Sequence, residues 1–108
     1  MKIVEFETYL DSLPDKDAAK LLATINNIEE HGLAIAERQK WIKKLKTNLY
    51  EILSKRASNI QRAIYFHWEN NKYVITHGFT KKQQKTSKLE IKKAIQRRNT
   101  YKRSNRNE

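Results

Sequence analysis

The spacing of apolar residues changes twice along the chain, dividing it into a helical front, a stranded middle and a helical end. Val4, Phe6, Tyr9, Leu10 and Leu13 open the chain at a spacing that fits a brief helix, with an edge strand as the alternative. Pro14 then suits a first helical turn, and Asp15 and Asp17 favour the positive end of the helix dipole. Ala18, Leu21, Leu22, Ile25 and Ile28 recur at three and four residues, which predicts a helix over 15–31. Gly32 supplies a left-handed stop, and Leu33 opens an apolar, partly helical connector that runs to about Ala36.

From Trp41 the period shortens and β-branched and aromatic residues accumulate. Trp41, Ile42 and Leu45 mark a short strand, followed by strands over 49–53, 60–68 and 73–81, and the short connections predict an antiparallel meander. Asn70-Asn71 fits a two-residue type I′ turn. That turn sets Glu69 opposite Lys72, Trp68 opposite Tyr73, Phe66 opposite Ile75, Ile64 opposite His77, Arg62 opposite Phe79 and Ile60 opposite Lys81. One hairpin face is then apolar near the turn and basic at its far end, where Arg62 and Lys81 meet, provided no bulge slips the register. Tyr65 points away from Arg62, and His67 and His77 fall on opposite faces.

Ser87-Lys88-Leu89-Glu90 is a capping box and starts a second well-marked helix. Ile91, Ala94 and Ile95 turn inward, while Lys88, Lys92, Lys93, Arg97 and Arg98 crowd the exposed side. The tail 103–108 has no apolar content to fold and is expected to fray, leaving a single domain over 1–102. The whole is an α+β chain with helices on a sheet of about four strands.

Length and charge narrow the function. With 108 residues the chain holds one core, and 23 Lys and Arg against 12 Asp and Glu give a net charge of +11. Residues 1–37 carry three lysines and eight acids, net −5, and residues 38–108 carry the remaining 20 basic residues and four acids, net +16. A polyanion is the partner such a back half suits, and the acidic front is free for a different task. Absence of cysteine removes disulfides and thiolate chemistry and fits a reducing, cytoplasmic setting. No apolar run approaches the ~20 residues of a membrane span, so no membrane partner is expected. Glycine-rich phosphate loops, carboxylate pairs in the basic half and metal-ligand spacings are missing, so neither cofactor nor metal is expected. What remains is Lys81-Lys82-Gln83-Gln84-Lys85-Thr86, a cationic run leaving a strand and entering a capped helix, next to Arg62. Ammonium groups, helix-end amides and a forked guanidinium suit a backbone phosphate, and a solvated lysine loop is the equally weighted alternative.

Three segments carry a family resemblance: 44–52 (KLKTNLYEI), 62–66 (RAIYF) and 77–86 (HGFTKKQQKT). They resemble the phage-derived, HigB-type branch of the RelE/ParE toxin superfamily, whose pattern is KxLxxxLYELR, RxLYF and HGFxKKTQKTPxxEI; the similarity spans about 5–98. It implies a small RelE-like fold and a toxin of a type II toxin-antitoxin system that cleaves mRNA, in many relatives on the ribosome. It also implies a helix-turn-helix, HigA-like antitoxin from a neighbouring gene. Carried over, Arg62, Lys81, Lys82, Lys85 and Tyr65 are the candidate catalytic residues, and His77 is a further proton-transfer candidate. Lys55, Arg56, Lys88, Lys92, Lys93, Arg97 and Arg98 are the candidate RNA-binding residues.

The chain departs from the pattern at Leu53, where the family has arginine, and at Ser87, where it has proline. Ser87 is itself a good cap. Leu53 removes a guanidinium that only Lys55 or Arg56 stands close enough in sequence to replace. RNA supplies its own nucleophile, the 2′-OH, so cleavage needs only alignment, charge stabilisation and proton movement. A degenerate, non-catalytic RNA- or ribosome-binding protein is the alternative, and a ParE-like gyrase inhibitor a more distant one. The chain begins at the first helix without the leading strand of many relatives, which suggests one strand fewer.

Overall fold

The computed structural model describes residues 4–56, 58–69, 72–80 and 86–104. In chain order they form α1 (Val4–Asp11), α2 (Asp15–His31), α3 (Leu33–Arg38), β1 (Ile42–Lys46), β2 (Leu49–Arg56), β3 (Asn59–Trp68), β4 (Lys72–Thr80) and α4 (Lys88–Ser104). The opening apolar stretch is therefore helical, and the helix expected over 15–31 has those ends. In α2 the inward stripe is Leu21, Thr24, Ile25 and Ile28. Leu22, expected on that stripe, is 46% exposed because Thr24 takes the inward place, its hydroxyl donating to the Lys20 carbonyl at 2.9 Å.

The four strands lie in the order β1-β2-β3-β4, all antiparallel, as a meander. Successive side chains of a strand alternate in face, so each face builds its own core. Phe6, Leu21, Ile25, Ile28 and Ala36 from the first three helices pack on Ile42, Ile52, Ala63, Tyr65 and Ile75. On the other face Leu49, Ile64, Phe66, Val74 and Phe79 receive Ala94, with Ile91, Ile95 and Tyr101 of α4 beside it. This α+β architecture is the one the family resemblance implies.

The β3–β4 hairpin corrects the expected register. Ile64↔His77 and Arg62↔Phe79 pair as expected, but nearer the turn the pairs are Tyr65↔Ile75, Phe66↔Val74, His67↔Tyr73 and Trp68↔Lys72. The connection thus spans three residues, 69–71, rather than two, and the expected Asn70-Asn71 turn lies outside the described residues. Thr76 is the extra residue that restores the register beyond it, and Ile75 and Tyr73 move to the face of the N-terminal helices. The Thr76 carbonyl accepts a hydrogen bond from the Arg97 guanidinium at 3.1 Å, and its hydroxyl lies 3.2 Å from the Ile64 carbonyl. Bulge and helix are thereby locked together.

Two other contacts place the functional end of the sheet. Asn48, in the β1–β2 turn, adopts φ 50 and its amide exchanges two hydrogen bonds with the backbone of His67, at 3.0 and 2.9 Å. Gly78 lies under the Tyr9 ring, where a Cβ would stand 2.3 Å from a ring carbon, so α1 can cross β4 only because residue 78 has no side chain.

Candidate functional site

Arg62 stands on β3 facing α4, directly across from Leu53 of β2 and two pairs from Glu51↔Ile64, on the same face. Its side chain is 2% exposed, and Nη1 donates to Glu51 Oε1 at 2.8 Å. Glu51 is itself fully buried and its second oxygen accepts a hydrogen bond from the Thr86 hydroxyl. The arginine expected as an open charge stabiliser is thus the inner member of a buried ion pair. Glu51 was not among the sequence candidates. Its signal was a carboxylate alternating with Leu49 and Leu53 on an apolar strand face, a place a strand gives to a charge only when a partner is waiting.

On the opposite face, at the same end of the sheet, lies a second polar cluster. Asp17, 1% exposed, accepts from Arg56 Nη1 at 3.1 Å, Asn59 Nδ2 at 3.1 Å and Gln61 Nε2 at 3.3 Å. Gln61 Oε1 accepts from Tyr9 Oη at 2.7 Å and from the Thr80 hydroxyl. Thr80 is therefore fixed next to Arg62's neighbour Gln61, and Thr86 to Arg62's partner Glu51. The cationic run between them starts and ends on groups tied to one place, with one anchor on each face of the sheet. Lys81, Lys82 and Lys85 themselves lie outside the described residues.

The other candidates separate clearly. Tyr65 is fully buried on the face opposite Arg62, stacked on Tyr50 with ring centroids 5.5 Å apart and beside Tyr73 at 5.2 Å. Burial pushes its phenol far above the usual tyrosine range, with Tyr73, Tyr50 and Glu37 adding to the effect. It is a core residue and cannot reach a phosphate on the Arg62 side. His77 shares Arg62's face but is 4% exposed, with Nε2–H donating to Glu90 Oε1 at 2.8 Å and Nδ1 3.0 Å from the Thr76 hydroxyl. Burial lowers its pKa below the usual histidine value, and the hydrogen bond and charge of Glu90 offset only part of that. The capping box is half made: Ser87 Oγ accepts the Glu90 amide at 3.3 Å, while the Glu90 carboxylate turns to His77 rather than back to the cap.

Of the two cations able to stand in for the family arginine at Leu53, Lys55 is exposed and alternates onto Arg62's face, whereas Arg56 alternates to the other face and pairs with Asp17. Along α4, Lys88, Lys92 and Lys93 are exposed as expected. Arg97 and Arg98 are half-buried instead. Arg97 holds the Thr76 bulge, and Arg98 donates to the carbonyls of Thr47 and Asn48 at 2.8 and 3.0 Å, so both clamp α4 to the sheet. Among the described residues no three His, Asp or Glu gather in a way that could hold a metal ion. No described helix is long and apolar enough to cross a membrane.

A meander packed between N-terminal helices and one basic C-terminal helix, with a cationic run anchored around a buried arginine, agrees with the family pattern read from the three motifs. Residues 8–99 match the family described as phage-derived, Gp49-like proteins, and the chain belongs to that family. It is 30% identical over 99 residues to the probable endoribonuclease HigB1 of Mycobacterium tuberculosis, in both the CDC 1551 / Oshkosh and the H37Rv strains. That alignment covers 92% of this chain and 75% of the relative.

Proposed function

We propose that the chain is the toxin of a type II toxin-antitoxin system, a single-domain endoribonuclease that cleaves mRNA, works on the ribosome in the cytoplasm and uses no metal. The observation that carries this reading is the anchoring of the two residues that flank the 81–85 run, Thr80 on Gln61 and Thr86 on Glu51, the ion-pair partner of Arg62. Similarity to a probable endoribonuclease supports the same chemistry.

In this mechanism the ribose 2′-OH gives up its proton and attacks the adjacent phosphate, the bond from phosphorus to the 5′-oxygen of the next nucleotide breaks, and that oxygen takes up a proton and leaves as a 5′-OH, with a 2′,3′-cyclic phosphate left behind. Lys81, Lys82 and Lys85 supply the positive charge that the pentacoordinate state needs, and Lys55 adds charge from β2. Lys88, Lys92 and Lys93 hold flanking phosphates. Arg62 acts as a positioning residue: it compensates Glu51, and Glu51 holds Thr86, the end of the lysine run. The half of the chain with net −5 lies with α1 and α2 and is offered to a helix-turn-helix antitoxin.

Expression alone should arrest growth, and primer extension on cellular mRNA should reveal new 5′ ends. Growth arrest with intact mRNA would overturn the nuclease reading. One observation favours a second reading, RNA binding without cleavage: Leu53 fills the place opposite Arg62 where the family carries arginine. Tight binding to RNA with no cleavage on or off ribosomes would establish it.

A further inference from the structure

β1 stops pairing with β2 at Ile42↔Ile52, so the rest of β2 is a free edge beneath α2. A cleft of about 270 Å³ opens there, lined by Lys20, Asn27, Lys40, Trp41, Ser54 and Lys55 among others, with no carboxylate in its lining; the Lys55 side chain alternates to the opposite face, which leaves Lys20 and Lys40 as the ammonium groups on the cleft side. Asp17, one turn before Lys20 on α2, is already engaged by Arg56, Asn59 and Gln61. Ser54 alternates onto the α2 side of β2 and is 2% exposed, yet its hydroxyl has no hydrogen-bond partner among the described residues. Buried hydroxyls are normally satisfied, so this one is left for a group that enters the cleft. The Leu53 amide is bonded to the Trp41 carbonyl at 2.9 Å, and the two-residue period of a strand turns the Lys55 amide to the same open side. Lys40 closes the turn after α3 at φ 64, with its amide bonded to the Glu37 carbonyl at 3.1 Å.

We propose that this cleft is a nucleotide subsite, in which Lys20 and Lys40 hold a phosphate, Ser54 donates to it and Trp41 offers its ring to the base. Stacking on an aromatic ring beside ammonium groups is the usual way a protein holds single-stranded nucleic acid without reading its sequence. The volume suits one nucleotide rather than a longer segment. The subsite rests on the endoribonuclease reading and deepens it, since it places an RNA contact on α2, inside the acidic front of the chain. The shared chemistry is a phosphate joined to a base, offered by an RNA strand or by a free nucleotide.

The test titrates the full-length chain carrying Trp68→Phe, which leaves Trp41 as the sole tryptophan, with a 2′-O-methyl RNA tetranucleotide and with a nucleoside monophosphate. Both are expected to quench Trp41 fluorescence, the tetranucleotide more tightly if the occupant is RNA and no more tightly if it is a free nucleotide. Lys20→Gln with Lys40→Asn should weaken binding about ten-fold or more and lower the slope of log affinity against log salt by about 1.4. Ser54→Ala should weaken it several-fold with the fold intact. Equal quenching in the double variant, no quenching, or quenching by an acidic peptide alone would overturn the subsite. If the variants bind unchanged while the parent chain cleaves mRNA, the subsite fails and the nuclease stands. If binding needs the lysines but the parent cleaves nothing, the nuclease fails and the subsite stands.

Discussion

Replacing Arg62 by alanine tests two roles at once, and the structure says how to separate them. The substitution leaves the Glu51 carboxylate buried with the Thr86 hydroxyl as its remaining side-chain partner among the described residues. Breaking a buried ion pair from one side costs about 3–5 kcal/mol, because the surviving charge keeps its desolvation penalty and loses its compensation. A domain of this size has about 5–15 kcal/mol of stability, so the loss is a large share of it. At roughly 4 °C per kcal/mol for a chain of this length, Tm should fall on the order of 12–20 °C. Glu51→Leu alone should also destabilise, since it removes the carboxylate that compensates the buried guanidinium.

The decisive variant is the double one, Arg62→Met with Glu51→Leu. Replacing both members of a buried pair by apolar groups of similar volume is often neutral or stabilising. The double variant should therefore unfold within a few degrees of the parent, well above either single variant. Thermal and urea unfolding of the four proteins closes the cycle. If the two single losses add in the double variant, or if Arg62→Ala leaves Tm unchanged, the buried-pair argument is wrong. A folded double variant also gives a clean reading of function. Without Glu51 the Thr86 anchor is gone, and mRNA cleavage should drop about 10²-fold, near 3 kcal/mol of transition-state stabilisation. Full activity in that protein would remove the positioning role of Arg62.

Thr86→Val keeps the Arg62–Glu51 pair and removes only the tether; it should cost about 1 kcal/mol in unfolding but lower cleavage at least ten-fold, and unaltered cleavage would count against the tether. Gly78→Ala should destabilise by about 1–3 kcal/mol, because the new methyl overlaps the Tyr9 ring; an unchanged urea midpoint would refute that close approach. Burial lowers the pKa of both His77 and His67, so the unfolded chain binds more protons than the folded one as pH falls through and below the ordinary histidine value of ~6.5. Stability should accordingly be fully present above that value and decline below it, by at most about 1.4 kcal/mol per pH unit per histidine, and His77→Gln should flatten the decline measured by Tm against pH. A Tm that does not respond to pH across this range would contradict the sign. The helix-turn-helix product of an adjacent gene should co-purify with the chain through the α1–α2 side, and an absence of complex at micromolar concentration would remove that claim.

Periodicity carried most of the fold. The α2 stripe and the alternating strands bury whole faces, and a face is what hydrophobic spacing reports. It does not report a one-residue insertion. Thr76 is β-branched and sits in a β-rich run, so nothing in its identity distinguishes a bulge from an ordinary strand position, and spacing alone places the hairpin register near the turn one residue off. The far half was legible because the longer connection and the bulge cancel, which kept Arg62 opposite Phe79 and Tyr65 on the other face. In α4, Arg97 and Arg98 follow the same helical spacing as the exposed lysines, and sequence cannot tell an arginine that meets solvent from one whose fork reaches a carbonyl on the sheet.

The candidate site shows the same division between what spacing records and what only packing decides. The motifs led to Arg62 and to the lysine run, but they could not say that Arg62 is sealed beneath the surface. That follows from Glu51, whose charge is only tolerable where it stands because Arg62 and Thr86 meet it. The two residues are eleven apart in sequence and come together through the β2–β3 hairpin, whose pairing sets Leu53 against Arg62 and leaves Glu51 two residues along on the same face. In relatives an arginine at the Leu53 position would stand opposite Arg62 on the same face, adding a second guanidinium beside a single carboxylate. In this chain Arg62 and Glu51 balance one another, so positive potential over the site has to come from other cations. Lys55 is the described cation placed on that face at that end of β2, which makes Lys55→Gln the substitution most able to distinguish a site that has lost its arginine from one that has moved the charge by two residues. If the charge has moved, Lys55→Gln should lower cleavage about ten-fold while leaving Tm unchanged, and equal cleavage by the two proteins would mean that the Leu53 departure was never compensated.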